Sequence, residues 1–192
     1  MNLPNTLTFA RVLLIPVFIF FLSSGFSPFG MPLEDRAFLA ALIFFIASLT
    51  DWLDGYIARR TGQITKAGKL FDPIADKLLT SSALILLVAL NQMSAWLAIV
   101  IIGREFAVTG LRAAAASEGH IIPAYDGGKL KMVFQTVAII ALLLDLSMRV
   151  RFLDPYLVGT VAIWIAMVLA VLSGAQYFIN FWDKIGLKGD PS

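Results

Sequence analysis

The chain has 192 residues, of which 59% are hydrophobic, and a net charge of +2; its mean hydropathy is +0.84. A water-soluble domain of this size is far less apolar, so water is excluded as the main solvent. The absence of cysteine excludes disulfides, zinc-thiolate sites and thiol nucleophiles, and no basic patch suited to nucleic acid emerges from the charge pattern.

In chain order, Asn2-Leu3-Pro4-Asn5-Thr6-Leu7 reads as a short interfacial segment at the N-terminus. Six apolar stretches follow, each near the ~20 residues that a membrane-crossing helix needs. They run from Phe9 to Ser24, Arg36 to Arg59, Gly68 to Leu90, Ala95 to Ala116, Asp126 to Met148 and Pro155 to Phe181. Turn chemistry separates them at Ser27-Pro28-Phe29-Gly30-Met31-Pro32, Asn91-Gln92, Glu118-Gly119 and Asp154-Pro155. Unpaired backbone groups in lipid are too costly for anything but helices here, since the runs lack strand alternation. The expected fold is therefore all-α: one integral membrane domain over residues 1–192, a bundle of six transmembrane helices.

The first span lacks a basic start and a small-residue cleavage site, so it reads as a retained helix. Six spans put both termini on one side. Eleven of the fifteen lysines and arginines gather on that side, against Arg36, Arg149 and Arg151 opposite, with Arg104 inside the fourth span. Positive residues favour the cytoplasm, which sets both termini there. His120, in a polar loop after Glu118-Gly119, reads as solvated.

Asn5, Thr8 and Arg11 recur every three residues and share roughly one helix face. Asn5 serves there either as a helix cap or as a nucleotide contact, and spacing alone leaves both open. The decisive stretch comes later. Asp51 and Asp54 sit at i, i+3 near the end of the second span, and Asp72 and Asp76 at i, i+4 near the start of the third. Each pair shares one helix face, and a short basic loop brings the two helix ends together. Four carboxylates so placed repel one another, and each costs ~2.5 to 3.5 kcal/mol if it lies deep in a span. Cations must hold them. Hard divalent ions with oxygen ligands suit the task, Mg2+ or Mn2+ in particular and two per site. Gly55 and Ala58 leave either a close helix contact or a notch for a nucleotide. Arg59 is placed both to offset a pyrophosphate and to mark a cytoplasmic helix end.

These residues match D-x2-D-G-x2-A-R-x8-G-x3-D-x3-D, filled by Asp51, Asp54, Gly55, Ala58, Arg59, Gly68, Asp72 and Asp76 without departure. The pattern resembles the signature of the CDP-alcohol phosphotransferase family. The resemblance implies a homodimer in the bacterial inner membrane whose site opens to the cytoplasmic leaflet. It implies that Asp51, Asp54 and Asp72 bind metal, that Asp76 is general base and further ligand, and that Asn5, Thr8, Gly55, Ala58, Arg59 and Gly68 lie against the CDP group of CDP-diacylglycerol. The opening segment, the run Arg104 to Arg112, and Gly128-Lys129-Leu130-Lys131 with Gln135 resemble the branch that forms phosphatidylglycerophosphate.

Arg104, Arg112, Lys129 and Lys131 belong to the fourth span, its end and the start of the fifth, and converge beside the carboxylates in a compact bundle. A cationic pocket next to an anionic metal site suits an alcohol that carries its own phosphate, such as sn-glycerol 3-phosphate. The positive-inside bias accounts equally for Arg112, Lys129 and Lys131. Arg104 calls for a partner in the span, with Glu105 or Asp126 as candidates. The same chemistry with inositol phosphate, serine or phosphatidylglycerol as acceptor is the main rival, and a cation transporter is the rival from another class.

Overall fold

The computed structural model describes residues 3–23, 27–61, 66–117, 126–147 and 154–185, and their side chains over 10–23, 27–50, 74–117, 128–147 and 154–182. The described residues form six α-helices with a single 3-10 turn at Pro28–Gly30. They are α1 (Leu3–Leu22), α2 (Leu33–Thr61), α3 (Lys66–Ala89), α4 (Ala95–Ser117), α5 (Asp126–Ser147) and α6 (Pro155–Ile185). No strand occurs among the described residues, and the all-α expectation holds.

The N-terminal end departs from expectation. Among the described residues the opening segment is not separate from the first span, because α1 runs unbroken from Leu3. Pro4 does not prevent this, because proline is tolerated in a first helical turn, where its missing N–H has no partner to lose. Asn5 consequently lies inside the first turn and not at the position that caps it.

The other boundaries follow local chemistry. At the end of α3, Asn91 adopts φ +58°, the left-handed conformation that asparagine tolerates. Gln92 N–H donates to Leu87 O at 2.9 Å and Asn91 N–H to Val88 O at 3.0 Å, closing the helix with a Schellman motif. At the start of α6, Asp154 Oδ1 accepts the backbone N–H groups of Tyr156 at 3.0 Å and Leu157 at 3.3 Å. With Pro155 in the first helical position, this is the chemistry expected of a helix N-terminus. Between α1 and α2, Arg36 Nη1 donates to Ser23 O at 3.3 Å.

The core is built from inward stripes at helical spacing. Ala37, Ala40, Ala41, Phe44 and Ala47 of α2 are buried, and their small side chains let neighbouring backbones approach closely. They meet Phe18 and Leu22 of α1 and Ala138, Ile139 and Leu142 of α5 in one cluster; the rings of Phe18 and Phe44 pack with centroids 6.0 Å apart. The most extensive helix pair is α5 with α6. There a Cβ added to Gly159 would lie 2.6 Å from Leu142 Cγ and 3.1 Å from Leu142 N, too close to be relieved by a flexible side-chain tip. Gly159→Ala is expected to cost about 1–3 kcal/mol by overpacking, read as a lower melting temperature of the purified protein in detergent.

The outer faces are apolar. Leu157, Val161, Trp164, Val168, Leu172, Ile179 and Trp182 form an exposed stripe along α6, far beyond what a surface facing water carries. By length and composition, Gly128–Ser147 and Pro155–Trp182 are the two described stretches able to cross a membrane. Every one of the six helices reaches 20 residues, but α4 is interrupted at its centre by Arg104 and Glu105.

Candidate active site

The acidic motif occupies two consecutive helix ends. Helical backbone continues through Asp51, Asp54, Gly55, Ala58 and Arg59 to the end of α2, and through Gly68, Asp72 and Asp76 from the start of α3. The helical register therefore keeps Asp51 with Asp54, and Asp72 with Asp76, on shared faces. Four residues separate the two helices, so their ends can lie no more than ~18 Å apart. The side chains of Asp51, Asp54, Gly55, Ala58, Arg59, Gly68 and Asp72, and those of Asn5 and Thr8, lie outside the described residues. So does His120. Asp76 is described and half-buried, and its carbonyl accepts Thr80 Oγ1 at 2.9 Å.

Beside Asp76 lies a charged node that joins four helices. Glu105 of α4 accepts at Oε1 both Arg104 Nη1, at 2.8 Å, and Lys131 Nζ of α5. Its main-chain carbonyl accepts Lys77 Nζ of α3 at 3.4 Å. Arg104 reaches α6 as well, donating from Nε to Ala170 O at 3.1 Å and from Nη2 to Ser173 Oγ at 2.7 Å. Gly174 gives that side chain its room, since an added Cβ would sit 3.1 Å from Arg104 Cγ. Glu105 is thus the partner that Arg104 requires within the span.

The node is shielded from solvent. Side-chain exposure is 12% for Arg104, 19% for Glu105 and 6% for Lys131, so each charge needs its partners to be tolerated. The electrostatic field of Asp76 reaches both Lys77 and Lys131, and that of Arg112 reaches Lys77. Arg112 and Lys129 are exposed. The chain thus brings Arg104 and Lys131 together beside Asp76, with Arg112 at the margin.

Lys77, Glu105 and Ser173 were not among the expected site residues. Lys77 reads from sequence as one more cytoplasmic charge, whereas its bond to Glu105 spans 28 positions. Ser173 carries no signal in the sequence. One hint for Glu105 was available: an acid directly beside an intramembrane arginine.

Packed apolar helices thus carry an acidic motif across two helix ends and a largely buried charged node beside its last aspartate. The chain belongs to the CDP-alcohol phosphatidyltransferase family, whose model matches residues 1–172. It is 44% identical over 189 residues to the CDP-diacylglycerol--glycerol-3-phosphate 3-phosphatidyltransferase of Bacillus subtilis (strain 168), covering 96% of this chain and 97% of that protein. It is 38% identical to the protein of the same name from Rickettsia typhi, covering 92% and 95% of the two chains. The "Probable phosphatidylglycerophosphate synthase" of Mycobacterium tuberculosis (strain ATCC 25618 / H37Rv) is 39% identical to it, with 96% and 84% covered.

Proposed function

We propose that the chain transfers the phosphatidyl group of CDP-diacylglycerol to sn-glycerol 3-phosphate, releasing CMP, as a step of phospholipid synthesis. The observation that carries this reading is the cluster of the shielded Arg104 and Lys131 with the half-buried Lys77 beside Asp76. An acceptor without a phosphate has no need of such a cluster, whereas a phosphorylated alcohol is held by it while its hydroxyl lies near the carboxylates. The names of the relatives agree with that acceptor.

The donor set of the acidic motif is entirely oxygen, which fits hard divalent ions and not soft ones. Asp51, Asp54, Asp72 and Asp76 would hold Mg2+ or Mn2+, two ions per site. Bound there, the ions supply charge neutralisation at the pyrophosphate and at the departing nucleotide. Asp76 takes the proton from a glycerol hydroxyl. The hydroxyl oxygen bonds to the phosphorus that carries diacylglycerol, and the bond from that phosphorus to the CMP oxygen breaks, its electron pair leaving with CMP. Lys131 and Arg112 face the acceptor's phosphate with Lys129 at the rim, while Arg104 adds charge from behind. Gly55, Ala58, Arg59 and Gly68 line the nucleotide's side, together with Asn5 and Thr8 from α1.

In this reading all six helices cross the bilayer of the cell inner membrane, with both termini and the site on the cytoplasmic side, and two copies form a homodimer. The exposed apolar stripe of α6 supports contact with lipid. So does the bundle's polarity: α1 and α2 meet through Arg36 and Ser23 at one end, while the charged node lies towards the other. An excess of Lys and Arg at the site's end is the cytoplasmic signature.

The acceptor is tested by incubating purified protein with CDP-diacylglycerol and, separately, sn-glycerol 3-phosphate, inositol phosphate, serine or phosphatidylglycerol. CMP release is expected with sn-glycerol 3-phosphate at least ~100-fold above that with serine, the one acceptor of the set without a phosphate, because a buried cationic site left without its anion is strongly penalised. Equal or faster release with serine would overturn the acceptor assignment, and metal-dependent ion flux in liposomes without CMP release would favour a transporter.

A further inference from the structure

Glu105 is an acid among cations otherwise suited to bind an anion. On electrostatic grounds alone it weakens that cluster, since it repels the phosphate that the neighbouring cations would attract. Its geometry gives it a different value. Both Arg104 Nη1 and Lys131 Nζ donate to one atom, Glu105 Oε1, and the carbonyl of the same residue receives Lys77 Nζ. One residue therefore fixes cations from α3, α4 and α5 relative to one another.

The need is greatest for Lys131. Its ammonium is a point charge on a flexible four-carbon stem, and the side chain is 6% exposed. Without a carboxylate partner, a buried ammonium either swings towards water or loses its proton. Arg104 is already held from the far side, by Ala170 O and Ser173 Oγ of α6. Its remaining fork nitrogen, Nη1, goes to Glu105. Arg104 therefore anchors Glu105 to α6, and Glu105 in turn holds the lysine. This chain of contacts has a direction: from α6, through a fixed guanidinium and a carboxylate, to an ammonium on a flexible stem.

We infer that Glu105 is a positioning residue that presets Lys131, with Arg104 behind it, as the receptor for the acceptor's phosphate. It acts through those cations and does not touch the reacting atoms. The inference rests on the reading of this cluster as the acceptor site. A receptor held in its bound arrangement before the ligand arrives loses less freedom on binding, so the benefit of Glu105 falls on acceptor affinity. Donor binding and the chemical step do not depend on it.

The test is a double-mutant cycle on the full-length protein in detergent or liposomes, with KM and kcat measured for each substrate separately. Glu105→Ala is expected to raise the KM for sn-glycerol 3-phosphate by about 10- to 100-fold, the range for losing a hydrogen bond to a charged group. The KM for CDP-diacylglycerol and kcat should stay within about threefold. Glu105→Gln, which retains an oxygen acceptor at the same reach but not the charge, should recover part of the loss, and its rise in acceptor KM without a rise in donor KM carries the test if the alanine variant does not fold. Glu105→Ala combined with Lys131→Ala should be no worse than Lys131→Ala alone. Parallel losses for both substrates, or fully additive effects in the double variant, would make Glu105 a merely structural residue and overturn the inference. If Lys131→Ala raises the acceptor KM and Glu105→Ala does not, the positioning role falls while the acceptor site stands. If neither variant changes it, both fall together.

Discussion

Replacing Asp76 by asparagine is expected to lower kcat by about 10²- to 10⁴-fold, the usual worth of a positioned general base. CDP-diacylglycerol binding should change little. The asparagine side chain keeps the size and one oxygen of the aspartate, but an amide cannot accept the hydroxyl proton at neutral pH. Local structure has independent support, because Thr80 Oγ1 donates to the Asp76 carbonyl and to that of Lys77. A lost base therefore need not mean a lost helix. Donor binding can be read by equilibrium titration with CDP-diacylglycerol, and turnover by CMP release. Equal losses in binding and turnover would reassign Asp76 to holding metal alone.

Removal of divalent ions carries the second large effect. Four carboxylates share two consecutive helix ends, each pair on one face of its helix, and such a concentration of like charge needs cations to hold it. A chelator should reduce phosphatidyl transfer by ~10²-fold or more, consistent with several kcal/mol of charge stabilisation at the transition state. Added Mg2+ or Mn2+ should restore it. The same treatment should lower the affinity for CDP-diacylglycerol, since the pyrophosphate then faces unscreened carboxylates. Activity insensitive to chelation would remove the metal from the mechanism.

The helices and the acidic motif were readable in the sequence for the same reason: both depend on short-range spacing. Asp51, Asp54, Asp72 and Asp76 declare themselves because carboxylates at i, i+3 and i, i+4 share a helix face and are rare in apolar sequence. Asp154-Pro155 and Asn91-Gln92 likewise mark a helix start and a helix end through local backbone chemistry, and the structure places them there. The separateness of the opening segment was misread, since a proline is harmless in a first helical turn and α1 begins before Pro4.

The charged node was only half readable. Arg104 stood out as an isolated cation in an apolar span, and Glu105 as one of two acids able to meet it. The junction between helices could not be read, because Lys131 is 26 positions and Ser173 is 69 positions from the residues they bind. No local pattern encodes that pairing. It follows from how α4, α5 and α6 pack, which in turn depends on Gly159 admitting Leu142 and Gly174 admitting Arg104. Small residues deep in apolar helices thus bear on the site from a distance, and their effect emerges only when the helices are assembled.

The bond that breaks is the most direct measure of the proposed chemistry. CDP-diacylglycerol carrying radioactive phosphorus only at the phosphate next to diacylglycerol would be incubated with the purified protein, a divalent ion and sn-glycerol 3-phosphate. Phosphatidyl transfer predicts that all of the label stays in the lipid product while unlabelled CMP appears in equal amount. Label emerging in a water-soluble nucleotide, or CMP formed without a new lipid, would contradict it.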